Sequence, residues 1–129
     1  MKEDVQKAWI EDLKSGKFTQ GHGYLRSWDP DEETWKYCCL GVLCERSGLS
    51  TWVERTVDHN GDLISEYLDS TMYLPPAVAE WAGLDPATEG QTIQLRLAEL
   101  NDEETSFIEI ADRLPEVLAE FAEKEGTDS

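Results

Sequence analysis

The longest apolar run of the chain reads Tyr37-Cys38-Cys39-Leu40-Gly41-Val42-Leu43-Cys44. Charge brackets this run, with Asp-Pro-Asp-Glu-Glu at residues 29–33 before it and Glu45-Arg46 after it. A short, continuous apolar run is typical of a fully buried segment. Gly48 lies where a left-handed cap would end a helix, so we predict that the run forms a central core helix. Glycine inside a helix costs about 1 kcal/mol relative to alanine, which predicts a close backbone approach at Gly41.

Length and composition indicate one globular domain over residues 1–129, with residues 124–129 fraying. Hydrophobic residues make up 40% of the chain and include five tryptophans, a composition unlike that of disordered proteins. No apolar run approaches the roughly 20 residues that a membrane span requires. The opening Met1-Lys2-Glu3-Asp4 does not resemble a signal peptide. We therefore expect a cytoplasmic protein that does not bind membranes.

The remaining periodicity predicts an α+β fold, with four or five helices around the cysteine-rich helix and a small antiparallel β-hairpin. The hairpin is predicted from the alternating residues 51–57 and 63–68, which flank the turn signal Asn60-Gly61. Residues 18–27 indicate a bent strand or a loop, and residues 28–34 a polar turn. Ser106 and Glu109 predict a capping box at the start of the last helix.

The charge of the chain is unevenly distributed. Residues 1–57 contain 10 acidic and 8 basic side chains, whereas residues 58–129 contain 18 acidic and only 3 basic ones. Half-chain net charges of −2 and −15 argue against direct binding of nucleic acid or of an anionic membrane. The acidic half suits either a solvated surface or an interface with a basic protein.

Metal and thiol chemistry are not favoured by the spacing of the candidate residues. The candidates are Cys38, Cys39, Cys44, His22 and His59. No pair of them has the C-x2-C or H-x3-H spacing of zinc sites. Thiols embedded among Leu and Val have raised pKa values and are poor nucleophiles. We predict no metal and no cofactor, and a binding protein rather than an enzyme.

Two polar segments and a group of cations are candidates for a ligand site. Gln20-Gly21-His22-Gly23 resembles a phosphate-cradling loop loosely, and its glycines suit a bulge equally well. Asn101-Asp102 suits a polar pocket or the end of a helix. The cations Arg26, Lys36, Arg46 and Arg55 all lie in the less acidic half. If they converge, they form the one anion site that this chain can offer.

Several motifs together resemble a widespread family of small uncharacterised proteins of tailed phages and prophages. The motifs are Trp9 to Leu13 with Ser15-Gly16-Lys17, Gln20-Gly-x-Gly-x-Leu25, the run 37–44, Leu74-Pro75 with Val78-x-x-Trp81-Ala-Gly-Leu84, and Leu100-Asn-Asp102 with Ser106-Phe-x-x-Ile110-Ala-Asp112. The resemblance covers residues 5–114, and it implies a phage accessory protein made in the bacterial host cytoplasm. The strong acidity of this chain departs from the family.

Two binding functions follow from these features by analogy. In the first, the protein sequesters a small anionic, nucleotide-type signal of host defence, and enough cations for it lie only in residues 1–57. The residues predicted to bind that ligand are Gln20, Arg26, Tyr37, Arg46, Asn101 and Asp102. In the alternative, the chain is an acidic mimic of DNA that binds a basic host or phage protein. The oligomeric state is left open.

Overall fold

The computed structural model describes residues 2–21, 23–56, 63–84, 89–103 and 105–126. Within these ranges the chain forms five helices: α1 (Glu3–Lys14), α2 (Cys39–Ser47), α3 (Pro76–Ala82), α4 (Glu89–Asp102) and α5 (Phe107–Gly126). It also forms five strands: β1 (Thr19–Gln20), β2 (Arg26–Asp29), β3 (Thr34–Tyr37), β4 (Val53–Thr56) and β5 (Leu63–Glu66). The α+β prediction is confirmed. In these ranges no helix is long and apolar enough to cross a membrane.

The sheet is larger than the predicted hairpin, and it is mixed. Its order is β1-β3-β2-β5-β4, with β1 parallel to β3 and the other neighbours antiparallel. The predicted pairing of 51–57 with 63–68 is present as β4 and β5, while its turn, Asn60-Gly61, lies outside the described residues. The polar turn predicted over 28–34 is too long. Trp28 and Trp35 belong to strands and pair directly across β2 and β3, because aromatic pairs stabilise neighbouring strands.

Helix α2 is the buried centre of the molecule, but it begins two residues later than the apolar run. Tyr37 ends strand β3, and all six residues 39–44 are buried in the helix. Gly48 adopts φ 62°, which confirms the predicted left-handed cap. A Cβ at Gly41 would lie 1.9 Å from the backbone oxygen of Leu25, so the predicted close approach is also confirmed.

Helices α1, α3 and α4 pack on α2, and α5 packs on α1 and α4. On α1, the Trp9 indole N–H donates to the backbone oxygen of Cys39 over 3.0 Å. At the start of α5, the Ser106 hydroxyl accepts from the Glu109 N–H over 3.2 Å, which is the predicted N-terminal capping bond. Helix α5 continues without interruption through Pro115. Strand β3 leads directly into α2, and Leu25, which precedes β2, lies against Gly41 in the first turn of that helix.

Candidate functional site

A cluster of aromatic rings surrounds the Arg26 guanidinium on β2. The guanidinium carbon lies 3.9 Å from the ring centroid of Trp35, 5.3 Å from that of Trp52 and 5.9 Å from that of Tyr37. The sheet register explains the closeness, because Arg26 pairs directly with Tyr37 and Trp35 lies two residues earlier on β3. An arginine held against aromatic faces keeps its in-plane N–H groups for an acceptor, since its flat faces are already occupied. We call Arg26, Trp35, Tyr37 and Trp52 the arginine–aromatic cluster.

Trp52 is held in this cluster from two directions. Its indole N–H donates to the carboxylate of Glu45 on α2 over 2.6 Å. Its ring also packs on Tyr67, with centroids 4.9 Å apart, and the Tyr67 hydroxyl accepts from the backbone N–H of Ser50. The contacts with Glu45 of α2 and with Tyr67 therefore fix the position of the Trp52 ring. A fixed ring loses little conformational entropy when a ligand stacks on it.

Burial raises the pKa of Tyr37, and the charge of Glu45 acts in the same direction, while the Arg26 charge opposes both. The phenol therefore stays neutral at physiological pH. As a neutral hydroxyl it can donate to an anion or accept from a base edge.

Of the four candidate cations named from the sequence, only Arg26 has no carboxylate of the described chain within ion-pair distance. Lys36, by contrast, binds Asp29, and Arg55 binds Glu66. The Nε atom of Arg26 is buried and has no hydrogen-bond acceptor among the residues that the structure describes. Ser65 on β5 pairs with Arg26, and its buried hydroxyl has no partner in the described ranges either. A buried polar group without a partner costs about 1–3 kcal/mol, so two such groups on paired residues of neighbouring strands single out this part of the sheet.

Three of the six predicted site residues form a separate hydrogen-bonded group that we call the asparagine knot. The Gln20 amide donates to the Asn101 oxygen over 3.0 Å and to the backbone oxygen of Thr105 over 2.7 Å. The fully buried Asn101 donates in turn to the Gly21 oxygen, and Asp102 accepts from the Gly23 N–H.

The asparagine knot also reaches helix α2, because the Cys39 N–H donates to the Asn101 oxygen over 3.3 Å. It therefore joins β1, α2 and the end of α4. The cavity beside it, partly lined by Cys38 and Tyr73, measures about 30 Å³ and has room for little more than a water molecule. The knot connects to the arginine–aromatic cluster through the backbone, where the Gly21 N–H donates to the Tyr37 oxygen over 2.7 Å. It positions the end of β3.

Arg46, the remaining predicted residue, is held by a carboxylate on α1. Its Nε and one Nη donate to the two oxygens of Asp12, each over 2.6 Å. These bonds, with the nearby Asp12 charge, raise the pKa of Arg46. Arg46 also lines a surface hollow of about 230 Å³ together with Lys17, Phe18 and Glu45. Phe18 connects this hollow to the cluster, because its ring meets the Tyr37 ring at 5.0 Å between centroids.

The three cysteines are buried, as predicted. Burial raises the pKa of the Cys38 thiol to about 11, and it raises the pKa values of Cys39 and Cys44 as well. Among the residues the structure describes, no three or more potential metal ligands converge. His22 and His59 lie outside those residues.

Trp35, Trp52 and Ser65 were not among the residues predicted for the site. The sequence did contain a signal for Trp35. Arg26 and Trp28 alternate with their neighbours before the Asp29-Pro30 turn, and Trp35 and Tyr37 alternate in the same way after it. Alternation on both sides of a turn predicts a hairpin with these side chains on one face. Ser65 carries no such signal, because its closeness to Arg26 depends on a pairing between strands that are distant in sequence.

Comparison with known proteins gives one match. A family model described as a domain of unknown function (DUF8296) matches residues 1–118. No curated protein and no solved structure is significantly similar to the chain. The matched range includes the whole arginine–aromatic cluster, the asparagine knot and the hollow beside Arg46.

Proposed function

We propose that this chain, which belongs to the DUF8296 family, binds and sequesters a small anionic ligand of nucleotide type at its arginine–aromatic cluster. The observation that carries the proposal is the state of Arg26. It is a cation without a carboxylate partner in the described chain, packed against three rings, with its buried Nε and the Ser65 hydroxyl both unsatisfied. Phosphate oxygens bind the in-plane N–H groups of arginine, and bases stack on aromatic faces.

The charge of the protein limits where such a ligand could bind. A net charge of −17 repels an anion at long range, so the site must supply local cations. The cluster supplies Arg26, and its four residues all lie in residues 1–57, the half of the sequence with a net charge of −2. The asparagine knot adds a rigid support for β3, which carries Trp35 and Tyr37.

The proposal is one of binding without chemical conversion. Its site offers a cation, hydroxyl groups and ring faces, which recognise a ligand without activating it. The described thiols are buried and have raised pKa values, which makes them poor nucleophiles. The resemblance of the sequence to phage accessory proteins supports a role in the bacterial cytoplasm, where the ligand would be a nucleotide signal of host defence.

Calorimetry and thermal shift can test this function with linear nucleotides, cyclic nucleotides and ADP-ribose derivatives. A ligand present at a hundredfold excess over its Kd stabilises the fold by about 2.7 kcal/mol, which is easily measured. We expect at least one of these compounds to raise the melting temperature and to quench tryptophan fluorescence. The Arg26→Met variant, which keeps the apolar stem on Trp35 but removes the charge, should lose this response.

Arg96→Met is the matched control, because Arg96 is an exposed arginine of α4 with a single long contact of 3.7 Å to Glu99. This variant should respond like the parent protein. The proposed function is wrong if no compound binds, or if Arg26→Met binds as tightly as the control.

A second candidate is the acidic mimic of DNA that would bind a basic host or phage protein. The observation in its favour is the surface of α4 and α5, where Glu99, Asp112 and the neighbouring acidic residues 102, 103, 109 and 116 are exposed. These carboxylates could face Lys and Arg side chains of a partner. The salt dependence of binding separates this candidate from the first one.

A further inference from the structure

We propose that the ligand carries a planar base and two separate phosphate groups. One phosphate would bind Arg26, and the other would lie in the hollow lined by Lys17 and Arg46. This inference rests on the proposed function and adds the ligand class. Its chemistry is shared by nucleoside bisphosphates and by 5′-phosphorylated dinucleotides.

Arg46 is oriented for such a role by Asp12. The carboxylate is 7% exposed and uses both oxygens to accept from Nε and one Nη, which fixes the plane of the guanidinium. The arginine side chain is nevertheless 42% exposed, and it lines the hollow. Arginine has five N–H donors, so those not bonded to Asp12 remain for an oxyanion.

Lys17 supplies a second cation to the same hollow. Its ammonium has no carboxylate within ion-pair distance in the described part of the chain, whereas Lys14 binds Asp112 and Lys36 binds Asp29. The volume of about 230 Å³ is ample for a phosphate group.

The charges around the hollow balance locally. Lys17 and Arg46 face Asp12 and Glu45, so the lining is neutral in a protein of net charge −17. Both carboxylates are already engaged, because Asp12 accepts from Arg46 and Glu45 accepts from the Trp52 indole. The cations therefore have free donors, whereas the anions are held in place.

Aromatic rings separate the hollow from Arg26. Phe18 lines the hollow and contacts Tyr37, and Tyr37 lies 5.9 Å from the Arg26 guanidinium. A ligand that touches both cations must span these rings, which favours a ligand that has a planar base to stack on them as well as two phosphates. A nucleoside monophosphate has a single phosphate group and would occupy only one of the two phosphate positions.

Isothermal titration calorimetry with three probes tests this ligand class. The probes are adenosine 5′-monophosphate, adenosine 3′,5′-bisphosphate and the dinucleotide pApA. The test variant is Lys17→Gln, and Lys7→Gln is the matched control, because Lys7 is an exposed lysine of α1 and the change in net charge is identical. We expect Lys17→Gln to weaken binding of at least one two-phosphate probe about tenfold, as the loss of one charge-assisted contact would. Binding of the monophosphate should change less than about twofold.

The outcomes are separable from those of the proposed function. If Arg26-dependent binding occurs but Lys17→Gln weakens the two-phosphate probes no more than Lys7→Gln does, the second phosphate position is wrong and the proposed function stands. If the parent protein binds neither these probes nor the wider nucleotide panel, both proposals are wrong. If Lys17→Gln weakens both two-phosphate probes, the probe that binds the parent protein more tightly shows whether the site fits a nucleoside bisphosphate or a 5′-phosphorylated dinucleotide.

Discussion

At the scale of single residues, the chain uses two arginines in opposite ways. Arg46 donates to both oxygens of a carboxylate that is almost fully buried, so its charge contributes to folding. Arg26 has no carboxylate partner among the described residues, and its buried Nε lacks an acceptor. A group that remains unsatisfied in the folded protein lowers stability, and functional sites commonly carry such a cost.

This contrast predicts stability changes of opposite sign. Arg26→Met should raise the free energy of unfolding by about 1 kcal/mol, since it removes the unsatisfied donor and keeps the packing on Trp35. Arg46→Met should lower it by about 2 kcal/mol, since it leaves Asp12 buried without its partner. Chemical denaturation measures both changes, with Arg96→Met expected to be neutral. Destabilisation by Arg26→Met of the same size as that by Arg46→Met would show that Arg26 is structural.

At the scale of secondary structure, helix α2 could be predicted from local sequence, but the site could not. The run 37–44 and Gly48 locate the helix because burial and capping depend on neighbouring residues. The pairing of Arg26 with Ser65 depends on β2 meeting β5, which no local pattern specifies. The end of β2 and all of β3 were missed, because charged neighbours obscured the alternation of Trp28, Trp35 and Tyr37.

The same helix gives a prediction on packing. Gly41→Ala should destabilise the protein by more than about 3 kcal/mol, because the added Cβ meets the backbone oxygen of Leu25 and backbone cannot move aside as a flexible side chain does. Leu43→Ala should cost about 2–5 kcal/mol through loss of buried volume. Ile108→Ala, at a position 57% exposed on α5, should change stability by less than about 0.5 kcal/mol. Urea denaturation measures the change in the free energy of unfolding for each of the three variants. A Gly41→Ala variant as stable as the parent protein would contradict the close approach of α2 to Leu25.

At the scale of the whole molecule, the net charge of −17 acts on the two candidate functions differently. An acidic mimic would bind its basic partner through many exposed ion pairs, which salt screens over about 10 Å at 0.1 M. Its affinity for that partner should therefore fall steeply as salt rises, and duplex DNA should compete with it. For a small anionic ligand at the arginine–aromatic cluster, salt has two opposing effects on affinity. It weakens the local attraction to Arg26, and it also weakens the long-range repulsion by the rest of the protein.

We therefore predict that nucleotide affinity changes less than about fivefold between about 0.05 and 0.5 M sodium chloride. Stacking on Trp35, Tyr37 and Trp52 is insensitive to ionic strength and should retain part of the affinity throughout. Calorimetric titrations with the nucleotide at several salt concentrations across this range measure the slope. A fall in affinity clearly greater than about fivefold would contradict this prediction, because it would require a local attraction to cations that the long-range repulsion does not balance.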